Sequence, residues 1–278
     1  MFLKKIKLTL IIFILYQTTL YSKSTSFTDL NSKSLSKYFS GIVAFENKDN
    51  SAALDFFNSS KILIDQHDPY LKKYVYSLVL ENKISQAINV VRKNQDKNNA
   101  SFFEAHLLLI LDSLKKNDYK KATFYLKKAS NLTGSDRFNL AIFESLKEYI
   151  YTFEKKKILE NKKNLGKLTN ISETFQRCYL GDISTDTYFS NMINDGEGDY
   201  TRYIYFYLSY LIENNRIEDA KKITEDLDYI NTTLLLSQGK SWIKSKNSEK
   251  LISVFSCKNS NDIVGEFLFL ISNLYSSQ

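Results

Sequence analysis

Four segments of this chain can be laid over one another on a single alanine. They are GIVAFENKDNSAALDFFNSS from Gly41, VYSLVLENKISQAINVVRKN from Val75, ILDSLKKNDYKKATFYLKKA from Ile110 and LSYLIENNRIEDAKKITEDL from Leu208. The shared alanines are Ala53, Ala87, Ala122 and Ala220. The first three recur at 34 and 35 residues; the fourth follows after 98, slightly short of three periods. Each segment has the same grammar. An apolar-periodic stretch ends in a polar, Asn-containing turn (Asn47-Lys48-Asp49, Asn82-Lys83, Asn117-Asp118, Asn214-Asn215), and the alanine comes early in the stretch that follows. Four positions later stand Phe57, Val91 and Leu126; after Ala220 the equivalent is Thr224, beside Ile223. A small side chain lets two helices approach, and the larger ones fill the space between neighbouring pairs. One pair cannot bury its own apolar face, so such pairs must stack.

Composition supports helices. The chain has one proline, Pro69, and 8 glycines in 278 residues, with 43% hydrophobic residues. So few breakers predict an all-α fold with short polar turns. Sandwiches and barrels spend more Gly and Pro on their turns.

The segments resemble tetratricopeptide repeats. The third carries the likeness best, through Asn117-Asp118-Tyr119, Ala122 and Ala129; the first keeps the small residue of the leading helix as Gly41. The aromatic near the start of the leading helix and the closing proline are mostly absent. The resemblance covers residues 34–130 and 199–228. It implies antiparallel helix hairpins stacked into a right-handed solenoid, with Gly41, Ala53, Ala87, Ala122, Ala129 and Ala220 as packing positions. It also implies a protein or peptide ligand in the solenoid groove and no cofactor, metal or catalytic residue.

Residues 1–24, MFLKKIKLTLIIFILYQTTLYSKS, have the layout of a secretory signal peptide: Lys4, Lys5 and Lys7, then the apolar run Leu8–Tyr16, then small polar residues. Cleavage is expected after Ser22 or Ser24. The run is short for a membrane span, which needs about 20 residues. An uncleaved inner-membrane anchor over residues 8–21 is the alternative, and the expected membrane contact is confined to it. Residues 25–36 read as a leader before the fold. Formal charge is +7, from 38 basic and 31 acidic side chains; four lysines lie in residues 1–24, so the remainder carries +3. That charge makes no case for nucleic acid.

The repeats are expected over residues 37–155 and again over 199–278. Between them, 156–198 reads as an irregular connector and a degenerate pair, with Gly181 exactly one period of 34 before Asn215. The last helix, IVGEFLFLISNLY from Ile263, is strongly apolar. It is either tucked into a groove or the start of repeats that continue in a longer protein. The segment Phe255–Gln278 resembles a stretch inside longer exported bacterial tetratricopeptide proteins, which implies a C-terminal continuation.

Candidate sites are few. Tyr200, Arg202, Tyr203 and Tyr207 lie in a tyrosine-rich stretch that covers more than one helix face. Core packing is the first reading of them, and a partner-binding surface is the other, for which they are the candidates. Arg202 would hold a carboxylate or cap a turn. Cys178 and Cys257 are taken as unpaired thiols, with one disulfide as the alternative for an exported chain. His67 and His106 stand in different repeats without metal-ligand spacing. Asp195-Gly196-Glu197-Gly198-Asp199 reads as a turn; it lacks the remaining ligands of a calcium loop. The basic run Lys155–Lys167 reads as a solvated helix end.

The expected function is therefore an exported scaffold for protein–protein interaction in the bacterial cell envelope. A helical-repeat nucleic-acid binder is the first alternative. The second is an all-helical cell-wall enzyme, for which Glu266 and Glu104 would be candidate acids.

Overall fold

The computed structural model describes residues 32–194, 201–226 and 233–276. The signal-like segment, the acidic turn at 195–199 and Tyr200 lie outside them. Among the described residues there are fourteen α-helices and no strand. They fall into two compact units, divided between Asn82 and Lys83.

The first unit holds α1 (Ser32–Glu46), α2 (Asn50–Asn58) and α3 (Asp68–Leu80), with a 3-10 turn at Lys61–Asp65. α2 packs on α1, and α3 on both. Phe57, Tyr70, Leu54, Leu71 and Leu63 are fully buried between them. The Tyr70 hydroxyl donates to the Phe57 carbonyl, and that of Tyr74 to Asn58 Oδ1 at 3.0 Å. Pro69 sits in the first turn of α3, where its missing N–H costs nothing. Gly41 gives Phe57 its place: a Cβ there would stand 2.8 Å from the Phe57 ring. Gly41→Ala should therefore overpack this contact. The cost is about 1–3 kcal/mol, less about 1 kcal/mol of gained helix propensity. Chemical denaturation should show a net loss; a stabilised variant would mean that the ring yields freely.

The second unit runs from α4 to α14. These are α4 (Ile84–Asn94), α5 (Phe103–Lys115), α6 (Tyr119–Ala129), α7 (Arg137–Lys155), α8 (Lys167–Leu180), α9 (Thr185–Asn194), α10 (Thr201–Glu213), α11 (Ile217–Asp226), α12 (Leu234–Lys244), α13 (Glu249–Val254) and α14 (Ser260–Ser276). Consecutive helices pack on one another from α4 to α8, from α8 to α11 and from α11 to α13. One continuous hydrophobic core runs from α5 to α14. Phe175 lies at its centre, with its ring 5.5–6.3 Å from those of Phe189, Tyr203, Phe206 and Phe255. Ala53, Ala87, Ala122, Ala129 and Ala220 all have no exposed surface.

The Asn-containing turns share one backbone device. Lys48, Asn82, Asn117, Gly181, Asn215 and Lys246 each adopt positive φ, between 56° and 65°. A left-handed residue just past a helix end reverses the chain and satisfies the last carbonyls. At Asn117 the N–H of Asn117 donates to Leu114 and that of Asp118 to Ser113, both at 2.9 Å. The same double bond pattern recurs at Lys48, Gly181, Asn215 and Lys246. Asp49 and Asp118 then cap the next helix, accepting from the N–H of Ala52 and of Lys121.

Cys178 and Cys257 form a disulfide, with Cα atoms 5.6 Å apart. This corrects the expectation of two unpaired thiols. Their 79-residue separation hid the pairing.

Candidate helix-binding groove

α14 is where the chain folds back on itself. It packs against α5, α7 and α8, and it reaches α10 through an ion pair. Its buried residues are Ser260, Ile263, Val264, Glu266, Phe267 and Ile271. They repeat at helical spacing and form one face. Phe267 is 1% exposed, with its ring 5.6 Å from that of Tyr149 on α7. The apolar last helix thus finds its cover within its own unit.

Each end of the seat is fixed differently. Before α14, Cys257 is bonded to the end of α8. At its first turn, Ser260 Oγ lies 3.1 Å from Asn117 Oδ1 and 3.0 Å from the Tyr119 hydroxyl. In the middle, the Glu266 carboxylate accepts from Arg202 Nε at 2.9 Å on both oxygens and from Nη2 at 2.6 Å. The Glu266 side chain is 2% exposed and that of Arg202 is 36%. The guanidinium also lies over the rings of Phe269 at 4.2 Å and Phe206 at 5.1 Å. Burial pushes the Glu266 carboxyl above the usual range, and Arg202 pulls against that shift. A two-toothed, mostly buried pair of this kind fixes register more than it adds stability.

A second buried polar cluster lies between α7 and α8. Gln176 Nε2 donates to Glu148 at 3.1 Å and to Ser172 at 3.0 Å, while its oxygen accepts from Thr152 at 2.9 Å. Burial raises the Glu148 carboxyl; Gln176 and Lys162 work against that. Reading the helix wheel of α7 for polar residues would have found Glu148, which shares a stripe with Ser145 and Thr152.

A raised carboxyl binds its proton more tightly folded than unfolded. Its contribution is whole below the unfolded value and is lost as pH rises through the folded one. Glu148→Gln should thus match the parent near roughly pH 4 and melt higher above it, with the gap widening toward neutrality. Thermal melts across pH test this. A variant that melts lower at neutral pH would show that the charge itself is needed.

Other expected sites fall as follows. Tyr203 and Tyr207 are 5% and 8% exposed, so they belong to the core instead of a partner-facing surface. The Tyr207 hydroxyl donates to Asp186 at 2.8 Å. The aromatic run of α10 is buried because α9, α11, α12 and α13 all pack on it. Arg202 holds a carboxylate, one of its two expected roles. The basic run is exposed over most of its length, as expected, with some of its lysines paired within the fold: Lys162 with Glu173, Lys163 with Glu144 at 3.3 Å, and Lys156 with the Tyr179 hydroxyl. Burial opposes ionisation of Glu144, yet Lys147 and Lys163 outweigh it and hold the carboxyl below the usual range. His67 and His106 lie in different units. His106 is buried, which lowers its proton affinity, and Lys128 adds to this. Glu104 stands at the start of α5. Among the described residues no group of three or more His, Cys, Asp or Glu side chains could hold a metal, and no helix is long and apolar enough to cross a membrane.

No family model, curated protein or solved structure matches the chain.

Proposed function

We propose that this chain is an exported, tetratricopeptide-like scaffold that holds a partner protein and performs no chemistry of its own. The observation that carries the reading is the recurring turn: a left-handed residue at Lys48, Asn82, Asn117, Gly181, Asn215 and Lys246, with buried alanines at Ala53, Ala87, Ala122 and Ala220 soon after four of these turns. In this reading the couples are antiparallel hairpins that stack as a solenoid, and residues 1–24 direct export. The buried disulfide favours an oxidising compartment, because cytosolic thiols are kept reduced. The internal pairing of Lys156, Lys162 and Lys163 weighs against a nucleic-acid role for the basic run.

The test has two parts. Thiol mass-tagging of the protein in intact cells should find Cys178 and Cys257 protected until reductant is added. Affinity capture from an envelope extract should recover a protein partner at defined stoichiometry. Free thiols in the cell would remove the export reading. Retained binding to polysaccharide or nucleic acid, with no protein recovered, would overturn the scaffold reading.

A further inference from the structure

α14 touches the first helix of three couples and the lone helix α7: it packs on α5, α7 and α8 and is ion-paired to α10. In a helical-repeat scaffold that is where a partner helix would lie. Its contacts have the form of peptide recognition: an apolar face at helical spacing and one charge read by a two-toothed arginine. The chain links α14 to the disulfide through Lys258 and Asn259 alone. Its outer side keeps Phe269 and Leu274, 44% and 47% exposed, and Gly265, which faces open space.

We infer that α14 is a resident ligand of this groove. The partner it stands in for is an amphipathic helix that offers a glutamate to Arg202 with an aromatic residue beside it, as Glu266 and Phe267 do. The inference rests on the scaffold reading. Arg202 is the specificity-determining residue, since it pairs with the buried charge of the bound helix. Phe267 supplies the anchor against Tyr149.

The test uses the full chain with its disulfide intact. Gly265→Pro breaks α14 at an exposed position and leaves every groove residue in place. Glu266→Lys expels α14 independently, by setting a cation against Arg202. The probe is a labelled peptide of the sequence Asn259–Ser276, read by fluorescence anisotropy. Both variants should bind it at least about tenfold more tightly than the parent chain does, whose groove is filled. Changing glutamate to glutamine in the peptide, or adding Arg202→Ala to the Gly265→Pro chain, should each cost about tenfold, the scale of a lost charge-assisted hydrogen bond.

Three results would overturn the inference. One is folded, oxidised variants that do not take up the peptide. Another is a parent chain that binds it as well as they do. The third is loss of helical circular dichroism in both variants well beyond the 17 residues of α14, which would make α14 an integral part of the core. The scaffold reading fails separately: a groove that takes the peptide while envelope capture recovers no protein would refute the scaffold and leave the resident helix standing.

Discussion

The double variant Cys178→Ser/Cys257→Ser is expected to lose about 4 kcal/mol, which lowers the melting temperature by roughly 8–16 °C. The size follows from the loop the bond closes, 79 residues by sequence separation. In the chain-entropy account, the bond removes the loop-closure entropy from the unfolded state, a term that grows with the logarithm of loop length. Both cysteines are 2% exposed, so the serines also place two hydroxyls in a dry site. The fully reduced parent should melt close to the variant. Melts in the presence and absence of reductant decide the matter: identical curves for oxidised and reduced parent would show that the bond constrains nothing.

Phe267→Ala is the second large effect. The ring is 1% exposed and lies against Tyr149, itself 1% exposed. Truncating a buried phenylalanine costs about 3–5 kcal/mol, through lost transfer energy and the cavity left behind. Phe269 is the internal control. It lies on the same helix, two residues away, and is 44% exposed. Phe269→Ala should cost less than about 1 kcal/mol, most of it the ring's contact with Arg202. Denaturant midpoints for the two variants should differ widely. Equal midpoints would mean that α14 is loosely seated.

The helices were legible in the sequence because their punctuation is local. The turns fall where asparagine and glycine stand, and Arg137–Phe153 was readable from apolar spacing; the observed helix ends at Lys155. The residue that carries positive φ was harder to place. In the first turn it is Lys48 and not Asn47; in the fourth it is Asn215 and not Asn214. Asparagine density marks a turn, whereas the last hydrogen-bonded carbonyl decides which residue bends. The seat of α14 was hidden for a different reason. Arg202 and Glu266 are 64 residues apart, and Ser260 meets Tyr119 across 141. Neither spacing carries a signal, because the helices between them must first pack. The tyrosines of α10 left two readings open, core packing and a partner-binding surface, and their burial agrees with the first. A helix that is aromatic on more than one face can be wrapped by neighbours as well as exposed, and four helices wrap this one.

The bond between Cys178 and Cys257 makes a covalent ring of the polypeptide between them, which contains α9 through α13. A protease that cuts once anywhere inside that ring releases no fragment. The nicked protein keeps its full mass on a non-reducing gel and falls into two pieces only on reduction. α14, which starts three residues beyond the ring, stays moored to α8 when the backbone inside the ring is severed. Such a chain can be cut once without being dismantled.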